Sequence, residues 1–327
     1  MKKCSQQHGK RTIGLLVTAV ALLIPTLANA WSLPKGGNWA DADDNFQSGL
    51  IVNSGLTSNS SQADATNVAN QIASDLAYVG ANFVRVGVNP YSVADQSWWL
   101  VMKSYINQLI ARGFNVDLCY WTSSSTVGTV ESFPNWSGMW EKIDGVYGTS
   151  AHVWYEPINE PHGYSTEAAL SSQVYQPFLN NYGLVKLQGW MILDGTGDAN
   201  NVTQVGADPA LTGCKLGLHI YPTWFGPFTS DSAWESQLNT QLDNMQSRTV
   251  ITEMGAPATS GYDYSTDNSA NNDVCFIRGI CTRANQLGVG IIYWPSHKDN
   301  DGFRLFTNET SGTWTNPSLM DELKSLW

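Results

Sequence analysis

The sequence predicts an α/β fold of a single domain, a closed (β/α)8 barrel of the TIM type, on three observations. Short runs rich in β-branched and aromatic residues recur at intervals of roughly 25 to 40 residues, the size of one strand–helix unit. Apolar residues at helical spacing lie between them. Two of the runs end in a glutamate, and strand ends are where a barrel of this kind carries its working side chains.

The expected strands are 49–53, 83–88, 115–121, 153–159, 191–194, 216–221, 250–253 and 290–294. After the first, Val68, Ile72, Leu76 and Val79 fall on one helical face. After the second, Met102, Ile106, Leu109 and Ile110 do the same, and Gly113 ends that helix. Eight strands alternating with helices argue for closure; an open doubly wound sheet, the alternative, normally has fewer. The polar stretches 57–61 and 122–129 read as loops after strands one and three. No Pro/Gly/Ser-rich linker or internal repeat interrupts 31–327, so one domain is expected there.

Residues 1–30 are expected to be a cleaved secretory signal. Lys2, Lys3, Lys10 and Arg11 make a basic start, an uncharged apolar run follows from Ile13 to Ile24, and Ala28-Asn29-Ala30 is a small-x-small cleavage pattern. The apolar run is too short to span a bilayer. Cleavage would remove four basic residues and no acidic one, moving the formal net charge from −11 to −15. An acidic chain with 14% charged residues and no Lys/Arg cluster disfavours nucleic acid and anionic membrane. Its Ser, Thr, Asn and Gly suit a neutral partner, and a monomer is expected.

Cys119, Cys214, Cys275 and Cys281 would remain, and an oxidising compartment would allow them three full pairings. On one unbroken helix Cys275 and Cys281 would lie about 9 Å apart along the axis, too far to bridge. Either a loop intervenes or they are unpaired.

Glu160 stands in Asn159-Glu160-Pro161 at the end of the fourth run, and Glu253 ends the seventh, 93 positions later. A lone strand-end glutamate is more often a surface or salt-bridge carboxylate. Two at matching positions are what cleavage of a glycosidic bond by an acid and a nucleophile requires. One must be protonated and the other ionised at neutral pH, and Arg85 in the second run is the candidate cation for the latter.

The 14 tryptophans outnumber both Phe and Tyr. Indole offers a flat apolar face and one N–H donor, which match the C–H face and hydroxyl rim of a sugar. Trp121, Trp136, Trp224 and Trp294 fall at expected loops or strand ends, whereas Trp99, Trp140 and Trp327 read as helix core. Other chemistries leave little trace: no Gly-x-Ser-x-Gly elbow, no phosphate-cradling loop, no His spacing suited to a metal. Asp299-Asn-Asp-Gly302 has part of a calcium-loop pattern, but His297 and Asn308 occupy its first and last ligand places, so a polar turn is expected. No cofactor or metal is implied.

With these motifs in order, the chain resembles glycoside hydrolase family five, the cellulase-like barrel glycosidases. The resemblance rests on Arg85, Asn159-Glu160-Pro161, His219-Ile-Tyr221, Thr252-Glu253-Met-Gly255 and Trp294. It implies a retaining mechanism, with Glu253 as nucleophile and Glu160 as general acid and then base. It implies further that Asn159 binds the sugar 2-hydroxyl, Tyr221 and Arg85 hold Glu253, His219 supports Glu160 or the sugar, and Trp294 floors the subsite before the cleaved bond. Trp121 and Trp224 join these as substrate-binding candidates.

One place departs from the family pattern. Family members commonly carry a strand-three histidine where this chain has Cys119, and Tyr120 or Trp121 is the candidate to replace it. The function expected is a secreted retaining endo-β-glycanase acting on a neutral polysaccharide, β-1,4-glucan first and β-mannan or mixed-linkage glucan next. A transglycosylase of the same family and a non-catalytic carbohydrate-binding barrel are the alternatives.

Overall fold

In the computed structural model, which describes residues 33–327 apart from 44, 127, 184–187, 268 and 309–311, eight parallel strands form the barrel. They are β1 (Lys35–Trp39), β2 (Phe83–Val88), β3 (Asn115–Tyr120), β4 (Val153–Glu156), β5 (Ile192–Asp194), β6 (Lys215–Ile220), β7 (Thr249–Met254) and β8 (Gly290–His297). Hydrogen bonding runs in the order β4-β3-β2-β1-β8-β7-β6-β5, and a parallel bridge between Tyr155 and Met191 joins the two ends. The short strands β9 (Phe306–Asn308) and β10 (Thr313–Trp314) form a flap paired to β8 at His297. Leu33–Trp327 form one compact unit, and the expected signal at 1–30 lies outside the described residues.

Helices connect the strands. After β1 comes α1 (Gln62–Tyr78), and after β2 come α2 (Pro90–Ala94) and α3 (Gln96–Ala111). Next are α4 (Phe133–Tyr147), then α5 (Glu167–Leu170), which runs through a π-helical turn Ser171–Tyr175 into α6 (Gln176–Tyr182). They are followed by α7 (Thr203–Ala207), α8 (Pro222–Phe225), α9 (Asp231–Leu242), α10 (Asn272–Leu287) and α11 (Pro317–Leu326). Ser61 and Asp64 close a capping box at the start of α1, satisfying amide donors a helix leaves free. Gly113 takes φ +88°, which a glycine reaches at little cost, and it follows the C-cap residue Arg112 at the end of α3.

Strand one is the exception to the expected register. The apolar run 49–53 is not a strand; it lies in the connection from β1 to α1, with only a bridge at Asn53. The barrel strand is instead Lys35-Gly-Gly-Asn-Trp39, whose glycines carry no β-propensity signal. They are there for space: a Cβ on Gly36 would lie 1.9 Å from the Phe83 carbonyl oxygen, and one on Gly37 would lie 2.3 Å from Ser296 Cβ. The tryptophan at 136, expected in a loop, is a buried residue of α4, and Trp99 and Trp140 are buried in α3 and α4 as expected.

Two apolar layers hold the barrel. The larger packs the outer faces of the strands against the helices. The smaller, Phe83, Trp154, Ile192, Val250 and Ile292, draws one residue from each of five strands and so fills the barrel interior near the strands' amino ends. Side chains alternate along a strand, so the residues two further on face inward as well. These are Arg85, Glu156, Asp194 and Thr252, with Asp117 paired in register to Arg85. A polar, fully buried layer therefore sits between the apolar plug and the carboxyl ends of the strands.

Candidate active site

The Arg85 guanidinium is the hub of the polar layer. Its Nε and Nη2 donate to the two Glu156 oxygens at 2.8 and 2.7 Å, a bidentate pair. Its Nη1 donates to Glu253 Oε1 at 2.6 Å and to Asn38 Oδ1 at 2.9 Å, and Nη2 also reaches Asn159 Oδ1 at 2.6 Å. One fixed planar cation thus aligns groups from β1, β2, β4 and β7.

Glu253 comes to this hub through an irregularity. Val250 and Thr252 face inward, so simple alternation would turn Glu253 out of the barrel. The β6–β7 pairing steps from Leu218↔Ile251 to His219↔Glu253, one extra residue on β7, and this bulge re-aims Glu253 inward. Tyr221 Oη donates to Glu253 Oε2 at 2.9 Å, so each oxygen of Glu253 has a donor. Burial raises the Glu253 carboxyl above its ordinary pKa, while His219 and Arg85 pull it down.

Glu160 lies beyond the end of β4. Its backbone φ is +41°, the left-handed region that strains a residue with a side chain by roughly 1–3 kcal/mol. Oε1 lies 3.0 Å from His219 Nδ1, and the same nitrogen is 3.6 Å from Glu253 Oε2. One oxygen of each carboxyl group and this ring nitrogen all lie within 4.8 Å of one another. Burial lifts Glu160 to about 7, with His162 acting against it. Burial also lowers His219 to about 4, so its ring is neutral at pH 7. Toward solvent, His162 stands 3.7 Å from Glu160 Oε2 and is backed by Asp198 at 2.9 Å.

The expected residues Arg85, Asn159, Glu160, His219, Tyr221 and Glu253 are therefore brought together. Asn159 is fully buried, and its Nδ2 has no hydrogen-bond partner among the described residues. Trp294, half-buried on β8, stacks on Trp121 with centroids 5.5 Å apart and planes at 19°. Trp121 itself is 4% exposed, with Phe46 against it, so it backs Trp294 rather than presenting an open face. Trp224, in α8, is 36% exposed and stands edge-on to Tyr221.

Cys119 faces inward, its Sγ 3.1 Å from Arg85 Nη2, and burial holds its thiol well above the usual range. Tyr120 points the other way, into the outer core, so it does not occupy the place of the histidine; Trp121 is the one that packs with Cys119. Cys275 and Cys281 both lie in α10 and are free, as are Cys119 and Cys214. His297 pairs with Asp75 at 3.2 Å inside the fold, and residues 299–302 form a turn.

Among the described residues, two sets have the spacing to ligate a cation: Glu156, Asp194 and His219, and Glu160, His219 and Glu253. In the first, an ion on Glu156 would sit against the Arg85 guanidinium that holds both its oxygens, a like-charge contact. In the second, Glu160 already pairs with His219 Nδ1 at 3.0 Å, and Glu253 is held by Arg85 and Tyr221.

Sequence reasoning missed Asn38, Asp117, Asp194 and Asp198, and read Glu156 and His162 only as residues that flank and support the acid/base motif. The period-two spacing of Phe83/Arg85, Trp154/Glu156 and Ile192/Asp194 was the available signal, because it places a polar residue two after each inner apolar one.

The family model for cellulase (glycosyl hydrolase family 5) matches residues 47–300. No curated protein matches the chain. Among solved structures, an endocellulase from Pyrococcus horikoshii in complex with cellotetraose superimposes with TM-score 0.66 at 13% identity, covering 90% of this chain and 92% of that one. The cellulose synthase subunit Z of Clostridioides difficile gives 0.63 at 12%, covering 89% and 99%. A β-mannanase from Streptomyces thermolilacinus with mannohexaose gives 0.52 at 17%, covering 84% and 82%. At these identities the likeness establishes the shared barrel, and the family model establishes more: the chain belongs to glycosyl hydrolase family 5 and is a glycoside hydrolase.

Proposed function

We propose that the chain is a secreted, monomeric, retaining endo-β-glycanase whose first substrate is β-1,4-glucan, with β-mannan next. The observation that carries this reading is that one carboxyl oxygen of Glu160 and one of Glu253 lie within 4.8 Å of each other and of a His219 ring nitrogen, an approach that suits the close pair of a retaining enzyme. Retaining hydrolysis wants carboxyl groups about 5–5.5 Å apart, whereas inversion needs about 6.5–9.5 Å to admit a water.

In the first step the Glu253 carboxylate attacks the anomeric carbon. The bond from that carbon to the bridging oxygen breaks, and Glu160 gives its proton to the departing oxygen. In the second step Glu160, now a carboxylate, takes a proton from water as the water oxygen attacks the same carbon, and the ester bond to Glu253 breaks. The Glu253 carboxylate and the protonated Glu160 are restored, the water is consumed as the new anomeric hydroxyl and the leaving group's proton, and two inversions leave the configuration retained. A Glu160 pKa near 7 suits both roles, because the group gives and regains its proton at little cost near neutral pH.

The buried, unpaired Nδ2 of Asn159 would donate to the sugar 2-hydroxyl, an interaction that strengthens as charge develops. Trp294 would stack on the sugar ring, and Trp224 would extend the apolar floor past Tyr221. The choice of glucan is supported by the family and by the cellotetraose bound to the endocellulase relative; the mannanase relative keeps mannan in view.

A reducing-sugar assay across β-glucans, mannans, xylans and galactans tests the substrate, with β-1,4-glucan expected to be cleaved fastest. Proton NMR of the first products tests the mechanism: the β-anomer should appear before mutarotation, and early α-anomer would rule out retention.

A further inference from the structure

We propose that Asp194, at the end of β5, is the positioning residue that sets the geometry of Glu160. The proposal rests on the reading of Glu160 as the acid/base. Asp194 is fully buried and its Oδ2 is engaged by the Glu160 N–H, so it acts on the reaction through its neighbours.

Those neighbours are the two supports of the Glu160 carboxyl. Asp194 Oδ2 accepts the backbone N–H of Glu160 at 3.1 Å. Glu160 has a left-handed backbone with φ +41°, and a strained conformation persists only where the surroundings hold it. The same oxygen lies 4.0 Å from His219 Nε2, a buried nitrogen with no hydrogen-bond partner among the described residues, while the other nitrogen of that ring, Nδ1, is 3.0 Å from Glu160 Oε1. One side chain thus stands behind both the main chain of Glu160 and the ring its carboxyl leans on.

Asp194 is itself fixed from two sides. The Tyr175 hydroxyl donates to the Asp194 carbonyl oxygen, and Tyr175 is delivered by the π-helical turn Ser171–Tyr175, a device often found near functional sites. Across the β5–β6 pairing stands Gly217, where a Cβ would lie 2.0 Å from Asp194 Oδ1. Only glycine leaves the carboxylate its place.

The test uses two probes, cellopentaose and dinitrophenyl β-cellobioside. The first needs a proton on its leaving oxygen, and the second releases a stable phenolate without one. Because kcat/KM reports the first chemical step, a misplaced general acid slows the first probe far more than the second. Glu160→Ala is the reference. If it slows both probes equally, the acid/base reading fails. If Glu160→Ala is selective, Asp194→Ala is expected to lose about 10²-fold on cellopentaose, the scale of a 1 Å misplacement, with little loss on the aryl probe. Asp194→Asn, which still offers an oxygen to the Glu160 N–H, should recover about tenfold of that, the worth of one hydrogen bond. Equal losses on both probes, or none, would overturn the proposal. Gly217→Ala keeps Asp194 but displaces its carboxylate, and it must show the same selectivity if Asp194→Ala does not fold.

Discussion

Arg85 Nη1 lies 2.6 Å from Glu253 Oε1 while the other edge of the same guanidinium closes a bidentate pair on Glu156. The cation is therefore shared between the carboxylate proposed as nucleophile and one that has no such role. Glu156 fixes the plane of the guanidinium, and the plane fixes where Glu253 and Asn159 stand.

Arg85→Lys keeps the charge but not the fork, so it separates the two functions. A point charge satisfies one carboxylate at a time, and the substitution is not conservative at a bidentate site. The expected outcome is a kcat loss of about 10²-fold from a misplaced Glu253. Arg85→Ala would leave two buried carboxylates uncompensated, and a destabilisation of about 3–5 kcal/mol is expected. Thermal melting and steady-state kinetics on β-glucan check both.

Glu160→Gln and Glu253→Gln preserve shape and remove the acid or the nucleophile. Glu160→Gln should lower kcat by about 10²–10⁴-fold, the range for a general acid/base. Glu253→Gln should cost at least as much, because no covalent intermediate can form. Circular dichroism should show both folded. Near-normal turnover by either variant would mean that the pair is wrongly assigned.

The Glu160 carboxyl, lifted to about 7, predicts a particular pH profile. The acid must be protonated to act, so kcat/KM should fall above pH about 7, tenfold per pH unit for one group. The same shift acts on stability. A folded pKa raised above the unfolded value contributes stability that is present below about 4.5 and is lost as pH rises through about 7, up to roughly 3 kcal/mol. Glu160→Gln has no such proton to lose. Its melting temperature relative to the parent should therefore rise between pH 5 and pH 8, and a constant difference would contradict the shift.

Much of this was legible in the sequence, and the limits have physical causes. Seven strands were readable because their β-branched residues carry the signal, and Arg85, Glu160 and Glu253 were readable from motif and place. Strand β1 was not: its Gly36-Gly37 pair answers to the closeness of β2 and β8, which no local pattern reveals. The inward turn of Glu253 depends on a bulge whose extra residue shows only in the pairing with β6. Asp194 and Gly217 act as a pair that register alone brings together.

Trp294 and Trp121 are stacked on each other, yet their substitution should have different consequences. Trp294 is half-buried, with Trp121 stacked on it and Lys298 Nζ 5.9 Å from its ring centroid, so Trp294→Ala should act mainly on the substrate. An aromatic stacking interaction is worth about 0.5–1.5 kcal/mol beyond its area, which corresponds to roughly 2- to 13-fold in kcat/KM, and more where apolar area is lost as well. Trp121 is 4% exposed between Phe46 and Trp294, with the Arg85 guanidinium carbon 5.9 Å from its ring. Removing it opens a cavity behind the site, so Trp121→Ala should cost about 3–5 kcal/mol of stability. Its effect on kcat/KM should follow from a loosened Trp294. Trp294→Phe restores part of a stacking face and should recover part of the activity, whereas Trp121→Phe should recover stability first. If Trp121→Ala weakened substrate binding with no change in melting temperature, Trp121 would be an open stacking surface after all.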